Sequence, residues 1–343
     1  MIGIVSRARP CRHGILAIGL ILVTLIAVEM LMTPAKAGTE DGSFCPTCPD
    51  WSNLDGWMKQ RDAYYSAENQ AKTSDGSTSS IAEGGKKTDP LESANFPNGS
   101  SIAFAKNQSG IFIDARHSAE YELGHIPGAR SIPSEVCRSG GALNTTALTS
   151  ALQKEGINSS DAVIVYGNGD DASFLFWALK YLGHEDVRRL DGGIIAWKEA
   201  GQRLEKGSIV RATTKYRGSF NDDLLITPQE LSEIAEEKAS EDLIIDGRNS
   251  FADYGVDHLK GALRIPSRDL FRDDMPWLLK SPAELEELLG NRGINEKQRL
   301  IVYGTPEAYS TFWALVVMGY NASVIDGEWW RRSGLSVANI KEW

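Results

Sequence analysis

Cys45 and Cys48 stand in Cys-Pro-Thr-Cys, the one pair of thiols in the chain spaced closely enough to act together. Such a pair can be a small local disulfide, a dithiol that cycles between redox states, or half of a metal site. Covalent haem attachment wants a histidine directly after the second cysteine, where Pro49 stands instead. No second Cys-x-x-Cys exists to complete a zinc site, so neither a metal nor another cofactor is expected. A thioredoxin-like pair would sit at a helix start, which depresses the thiol pKa; here Pro49 and Asp50 intervene before the helix that Ser52 would cap. A structural Cys45–Cys48 disulfide and a redox or sulfur-carrying pair both stay open. Cys137, in Val-Cys-Arg-Ser-Gly-Gly, reads by position as a plain buried or half-buried thiol, although Arg138 beside it would favour a thiolate. Asp170 and Asp171 are adjacent carboxylates that could draw a cation, a metal or a basic peptide. The plainer reading is a solvated, capped helix start, where carboxylates are favourable without any ligand.

Those two acids lie in one of a pair of repeated segments, VIVYGNGDDASFLFWAL at 163–179 and LIVYGTPEAYSTFWAL at 300–315. Each reads as a buried strand, a tight polar loop, and a helix packed through an aromatic pair. The first loop is Gly167, Asn168, Gly169, Asp170, Asp171, Ala172 and Ser173; the second is Gly304, Thr305, Pro306, Glu307, Ala308, Tyr309 and Ser310. A loop of this kind aims backbone N–H groups at its centre and so can hold an anion or a reactive thiolate. Neither loop has a cysteine, lysine or arginine, and Ser173 and Ser310 have no base in the motif to activate them.

Upstream of each loop a buried strand ends in Asp-x-Arg: Asp114 and Arg116 in IFIDAR, Asp246 and Arg248 in LIIDGR. These residues are predicted to brace the sheet edge, pairing with each other or with backbone. His125 and His258 each open a turn and lack metal-ligand spacing. A further strand follows each helix and ends in Asp-Gly, in RLDGG and VIDG, while Thr227, Pro228 and Glu230 open a helix over 226–237. Trp177, Trp197, Trp313, Trp329 and Trp330 are expected in core or interdomain packing. Short buried strands alternating with helices imply a parallel sheet covered on both faces, twice over. Ligands in such folds sit at the carboxyl ends of the strands, where Gly167 and Gly304 begin their loops.

Taken together, the Asp-x-Arg strands, the GHIPGAR turn, the Val-Tyr-loop-helix units and LDGG-x-x-x-W resemble the rhodanese family in its tandem two-domain form, over about residues 99–343. The resemblance implies an α/β fold with a central parallel sheet of about five strands in each domain. It also implies a cysteine at the strand end that takes sulfane sulfur from thiosulfate or a similar donor, cradled by N–H groups and basic side chains. Carried over position by position, the nucleophile slots are Gly167 and Gly304, and the loop's usual cation is missing as well. Asp170, Asp171 and Glu307 instead bring negative charge to where an anionic donor approaches, which costs several kcal/mol at close range and reduced dielectric. The phosphatase relatives of the fold need the same cysteine.

The chain has 343 residues, enough for two domains plus extras, and a formal net charge of −10 leaves no basic stripe for nucleic acid. Arg7, Arg9 and Arg12 precede an apolar run at 15–32, and the Ala35-Lys36-Ala37 site follows. This pattern describes a secretory signal peptide cleaved after Ala37, with export to the periplasm; the alternative is a membrane anchor formed by residues 15–32. Cys11 leaves with the signal, so Cys45, Cys48 and Cys137 remain, an odd number for an oxidising compartment. The expected organisation is a signal peptide over 1–37, a cysteine-bearing head with a short helix over 38–72, and a flexible Ser/Gly/Asp-rich linker over 73–98. Two rhodanese-like domains then cover 99–210 and 211–343. Three roles fit: a sulfur- or thiol-handling scaffold whose loops are not catalytic, a sulfurtransferase that uses Cys45 or Cys48 from outside the loops, or a structural subunit. The partner is a sulfur compound or another protein, and the sequence leaves the oligomeric state open.

Overall fold

The computed structural model describes residues 95–106, 108–207, 210–236 and 241–335. The signal, the head with Cys45 and Cys48, and nearly all of the linker lie outside the described residues.

In the first domain the chain runs β1 (Ile102–Ala103), β2 (Ile111–Asp114), α1 (Ser118–Leu123), β3 (Arg130–Ser131), a small hairpin of β4 (Arg138–Ser139) and β5 (Ala142–Leu143), α2 (Thr145–Lys154), β6 (Val163–Tyr166), α3 (Gly169–Tyr181), β7 (Val187–Leu190) and α4 (Gly193–Glu199). The second domain follows with α5 (Pro228–Glu236), β8 (Leu243–Asp246), α6 (Phe251–Val256), β9 (Leu263–Arg264), α7 (Pro282–Gly290), β10 (Arg299–Tyr303), α8 (Glu307–Val317) and β11 (Asn321–Val324). Five strands pair in the order β1-β7-β6-β2-β3, and four in the order β11-β10-β8-β9. Every pairing in these two sheets is parallel. The second sheet is thus one strand short of the expected five. A single parallel bridge from Leu225 to Val324 stands where β1 stands in the first domain.

Local signals explain where the helices begin. Ser281 and Glu284 form a reciprocal capping box with Pro282 at the first turn of α7. Thr227 and Glu230 exchange the same pair of bonds before α5, with Glu230 N–H to Thr227 Oγ1 at 3.2 Å and Thr227 N–H to Glu230 Oε2 at 3.0 Å. The central strands VIVY and RLIVY are almost wholly buried, as continuous apolar runs in a sheet covered on both faces should be.

The aromatic pairs of the repeated segments join the two domains. Phe174 and Trp177 of α3 meet Tyr309 of α8 at ring separations of 5.1 and 5.4 Å, and Phe176 meets Phe312 at 6.5 Å. Trp177 Nε1 donates to the Leu224 carbonyl at 3.0 Å, and Trp313 Nε1 donates to the Ser101 carbonyl at 3.1 Å. Each indole therefore crosses to the edge of the other domain, and both are fully buried. Burying each such ring contributes on the order of 2–3 kcal/mol, so the contact between the domains belongs to the core.

Candidate functional site

In both domains register sets the site. Asp114 lies beside Tyr166 and Asp246 beside Tyr303, the last residues of the strands that lead into the loops. Arg116 grips Asp114 with Nε to Oδ1 at 3.0 Å and Nη2 to Oδ2 at 2.6 Å, and also reaches the Gly124 carbonyl at 2.9 Å. Arg248 holds Asp246 in the same fork, Nε to Oδ1 at 3.0 Å and Nη2 to Oδ2 at 2.5 Å, and adds Asp257 Oδ1 at 2.8 Å. Both forks are buried. His125 stacks on Tyr121 at 3.7 Å with Nδ1 2.9 Å from the Tyr121 carbonyl, and His258 stacks on Tyr254 at 4.2 Å with Nδ1 2.8 Å from the Tyr254 carbonyl.

The positions after Val-Tyr differ sharply in the room they offer. At Gly167 an added Cβ would lie 3.2 Å from Ala115 Cβ, tight but tolerable with a small shift. Gly304 has φ +89°, and a Cβ there would fall 2.5 Å from Arg248 Cγ and 3.3 Å from Asp246 Oδ1. Gly169, at the start of α3, lies directly under the indole of Trp277, whose Cε3 would be 1.9 Å from an added Cβ. A residue of the second domain therefore covers the loop of the first.

The acidic residues are engaged by protein groups. Ser310 Oγ donates to Asp170 Oδ1 and Ser134 Oγ donates to Asp171 Oδ1, each at 2.5 Å. Asp170 and Asp171 are only partly exposed, so the solvated carboxylates suggested by sequence are corrected to ones held by serine hydroxyls. Burial pushes the Asp170 carboxyl up to about 6 even though the Ser310 hydroxyl opposes the shift. It raises Asp171 too, against its bond from Ser134. Burial likewise raises the Glu307 carboxyl.

The remaining loop residues are structural in their contacts. The Asn168 carbonyl accepts the Asp171 and Ala172 N–H groups at 2.8 and 3.2 Å, and Ser173 Oγ donates to the Gly169 carbonyl at 2.9 Å. Ala172 and Ala308 are buried, Tyr309 donates to Asp326 Oδ1 at 2.5 Å, and Thr305 and Pro306 lead into α8.

Cys137 is a free, fully buried thiol at the end of a 3-10 turn. Burial pushes its pKa up to about 12, outweighing the pull of Arg138. Arg138 itself lies over Phe174, 3.9 Å from the ring centroid, with Nε and Nη2 lacking hydrogen-bond partners. Arg189 is 1% exposed and stacks on Trp313 at 3.8 Å, with Nε and Nη1 unpartnered. Arg189 and Trp277 carry no signal of their own in the sequence, and Arg138 carries one, its place beside Cys137. Among the described residues no group of three or more His, Cys, Asp or Glu is placed to hold a metal.

The rhodanese-like domain profile matches residues 102–200 and 227–330, more than half of the chain and once in each domain. The chain belongs to the rhodanese-like domain family. It is 26% identical to the 3-mercaptopyruvate sulfurtransferase of Escherichia coli over 257 residues, covering 66% of this chain and 88% of that protein. It is also 26% identical to the sulfur carrier protein TtuD of Thermus thermophilus over 238 residues, covering 61% and 82% of the two chains. The crystal structure of the sulfotransferase SseA from Escherichia coli superposes with a TM-score of 0.57 at 27% identity, over 64% of this chain and 92% of that one. EanB in complex with ergothioneine shares the fold, with a TM-score of 0.64 at 20% identity over 74% and 73% of the chains. The rhodanese-like relatives are thus sulfurtransferases and sulfur carriers.

Proposed function

We propose that this is an exported, periplasmic rhodanese-like protein of sulfur or thiol handling whose two loops serve as a binding or carrier scaffold, with Gly167 and Gly304 standing where relatives carry the nucleophile. One observation carries this reading. The second loop has no room for a side chain at Gly304, because a Cβ there would fall 2.5 Å from Arg248 Cγ, within the fork on Asp246. The acidic residues point the same way: Asp170 and Asp171 stand in the first turn of α3 and Glu307 opens α8, where each would oppose an anionic donor.

The competing reading is a sulfurtransferase whose thiol comes from outside the loops. Burial and a pKa near 12 weigh against Cys137, which leaves Cys45 and Cys48. A head tethered by a linker reaches a neighbouring site at high effective concentration, so the distance in sequence is no obstacle. Turnover of thiosulfate with cyanide separates the two readings. The scaffold reading predicts none. Turnover that survives Cys137→Ser and disappears in Cys45→Ser or Cys48→Ser would replace it with the transferase reading.

A further inference from the structure

After its last strand each domain makes the same turn. Trp197 of α4 is followed four residues on by Gly201 at φ +72°, and Trp330, in the 3-10 turn Trp329–Arg332, is followed four residues on by Gly334 at φ +73°. Past Gly201 the first domain's chain doubles back along the turn that opens at His125. The His125 N–H donates to the Glu205 carbonyl and the Glu205 N–H to the His125 carbonyl, both at 2.9 Å, and Leu204 packs against Gly124. The Arg203 carbonyl accepts the Trp197 Nε1–H at 3.0 Å. Residues 203–205 thus cap an indole and seal one side of the turn.

The second domain repeats the receiving side at one constant offset in sequence. Asp257 and His258 stand for Gly124 and His125, and Trp330 and Gly334 stand for Trp197 and Gly201. The correspondence holds in space, since Arg248 Nη2 donates to the Asp257 carbonyl at 2.5 Å as Arg116 Nη2 donates to the Gly124 carbonyl at 2.9 Å. Leu259 and Gly261 of this turn line a groove of about 440 Å³, with Ile234, Leu243, Ile244 and Leu335 among its other walls. Trp330 is fully buried, and its Nε1–H has no acceptor among the described residues, a costly arrangement for a donor cut off from water.

We propose that Ser336, Val337 and Ala338 dock in this groove as Arg203, Leu204 and Glu205 dock in the first domain, with the Ser336 carbonyl accepting the Trp330 Nε1–H and Ala338 pairing with His258 through both backbone bonds. These three residues lie outside the described residues. Leu335, directly before them, already lines the groove, and in an extended segment Val337 falls on the same face as Leu335. The side chains are complementary: Leu204 meets the bare Gly124, whereas the shorter Val337 meets Asp257. A segment tethered this closely occupies the groove at high effective concentration, ahead of any free peptide. Asp257 is held by both Arg248 and Arg331, so the docked segment backs the fork on Asp246 that borders the second loop.

Hydrogen exchange of the full-length chain, resolved to the amides of His258 and Val302, tests this. Docking predicts His258 exchange slowed at least about tenfold below its intrinsic rate. Ala338→Pro deletes the N–H that donates to the His258 carbonyl, and Val337→Asp sets a charge against apolar walls. Each should bring His258 to within about twofold of its intrinsic rate. The Val302 amide, in the core strand β10, should stay protected in both variants, which separates loss of docking from loss of the fold. The Trp330 indole N–H, followed by NMR in an isotope-labelled chain, should exchange faster in the same two variants. His258 exchanging at its intrinsic rate in the unaltered chain, or keeping its protection in both variants, overturns the proposal. Protection that weakens on dilution overturns it as well, because a second copy would then fill the groove.

Discussion

Gly304→Cys restores a thiol to the second loop and meets two separate penalties. Left-handed backbone at φ +89° costs a residue with a Cβ about 1–2 kcal/mol. The Cβ would also fall 2.5 Å from Arg248 Cγ, and pushing a buried side chain aside in close-packed surroundings costs about 1–3 kcal/mol more. The sum, about 2–5 kcal/mol, corresponds to a fall in Tm of roughly 5–15 °C for a folded unit of this size. The shift is aimed at the Arg248–Asp246 fork, so the variant should lose order at the loop it was meant to repair. Differential scanning calorimetry gives the first number, and thiosulfate:cyanide turnover, expected to stay at background, gives the second. Gly167→Cys is the control: its Cβ meets Ala115 Cβ at 3.2 Å and its φ is not left-handed, so it should cost no more than about 1–2 kcal/mol. A Gly304→Cys protein with unchanged Tm, or one that turns over thiosulfate, would refute the steric reasoning.

Cys137 should resist iodoacetamide in the native protein at pH 8 and react fully once denatured, as peptide mapping would record; native labelling at the rate of an exposed thiol contradicts its burial. His184, lowered by burial, lies 2.7 Å through Nε2 from the Asp161 carbonyl and 3.1 Å through Nδ1 from the Tyr216 hydroxyl. A histidine kept neutral by the fold contributes stability above its unfolded pKa and loses it as pH falls below about 6.5, so His184→Gln should flatten that acid limb in denaturant titrations. Trp177→Phe removes the bond to the Leu224 carbonyl and part of the ring contact with Tyr309, and should lower stability by about 1–3 kcal/mol in urea unfolding.

Periodicity and repetition reveal the frame because local chemistry sets it. The buried runs VIVY and RLIVY, the Asp-x-Arg strand ends and the capping residues Thr227 and Glu230 each act within a few residues of themselves, and all stand in the structure. The aromatic pairs in the repeated helices carry a further message, since Trp177 and Trp313 cross between domains instead of filling only their own cores. What sequence inspection does not reveal is long-range. Asp170 looks solvated until Ser310, far along the chain, is brought against it. Trp277 sits in a loop with no motif, and only the docking of one domain on the other lays it over Gly169. Arg189 reads as one of two arginines on a strand, and nothing nearby says that it turns inward onto Trp313. The missing fifth strand of the second sheet has the same character, because a single bridge at Leu225 has no pattern of its own.

On the scaffold reading proposed above, the loops accept no sulfur and any sulfur chemistry belongs to Cys45 and Cys48. The intact mass of the purified protein after incubation with thiosulfate and with polysulfide, before and after reduction, with digestion to locate any gain, tests this. The expected result is either no added sulfur or a reducible gain of one sulfur mapping to Cys45 or Cys48. A stable sulfur adduct on a loop peptide spanning 167–173 or 304–310, or on Cys137, would contradict it.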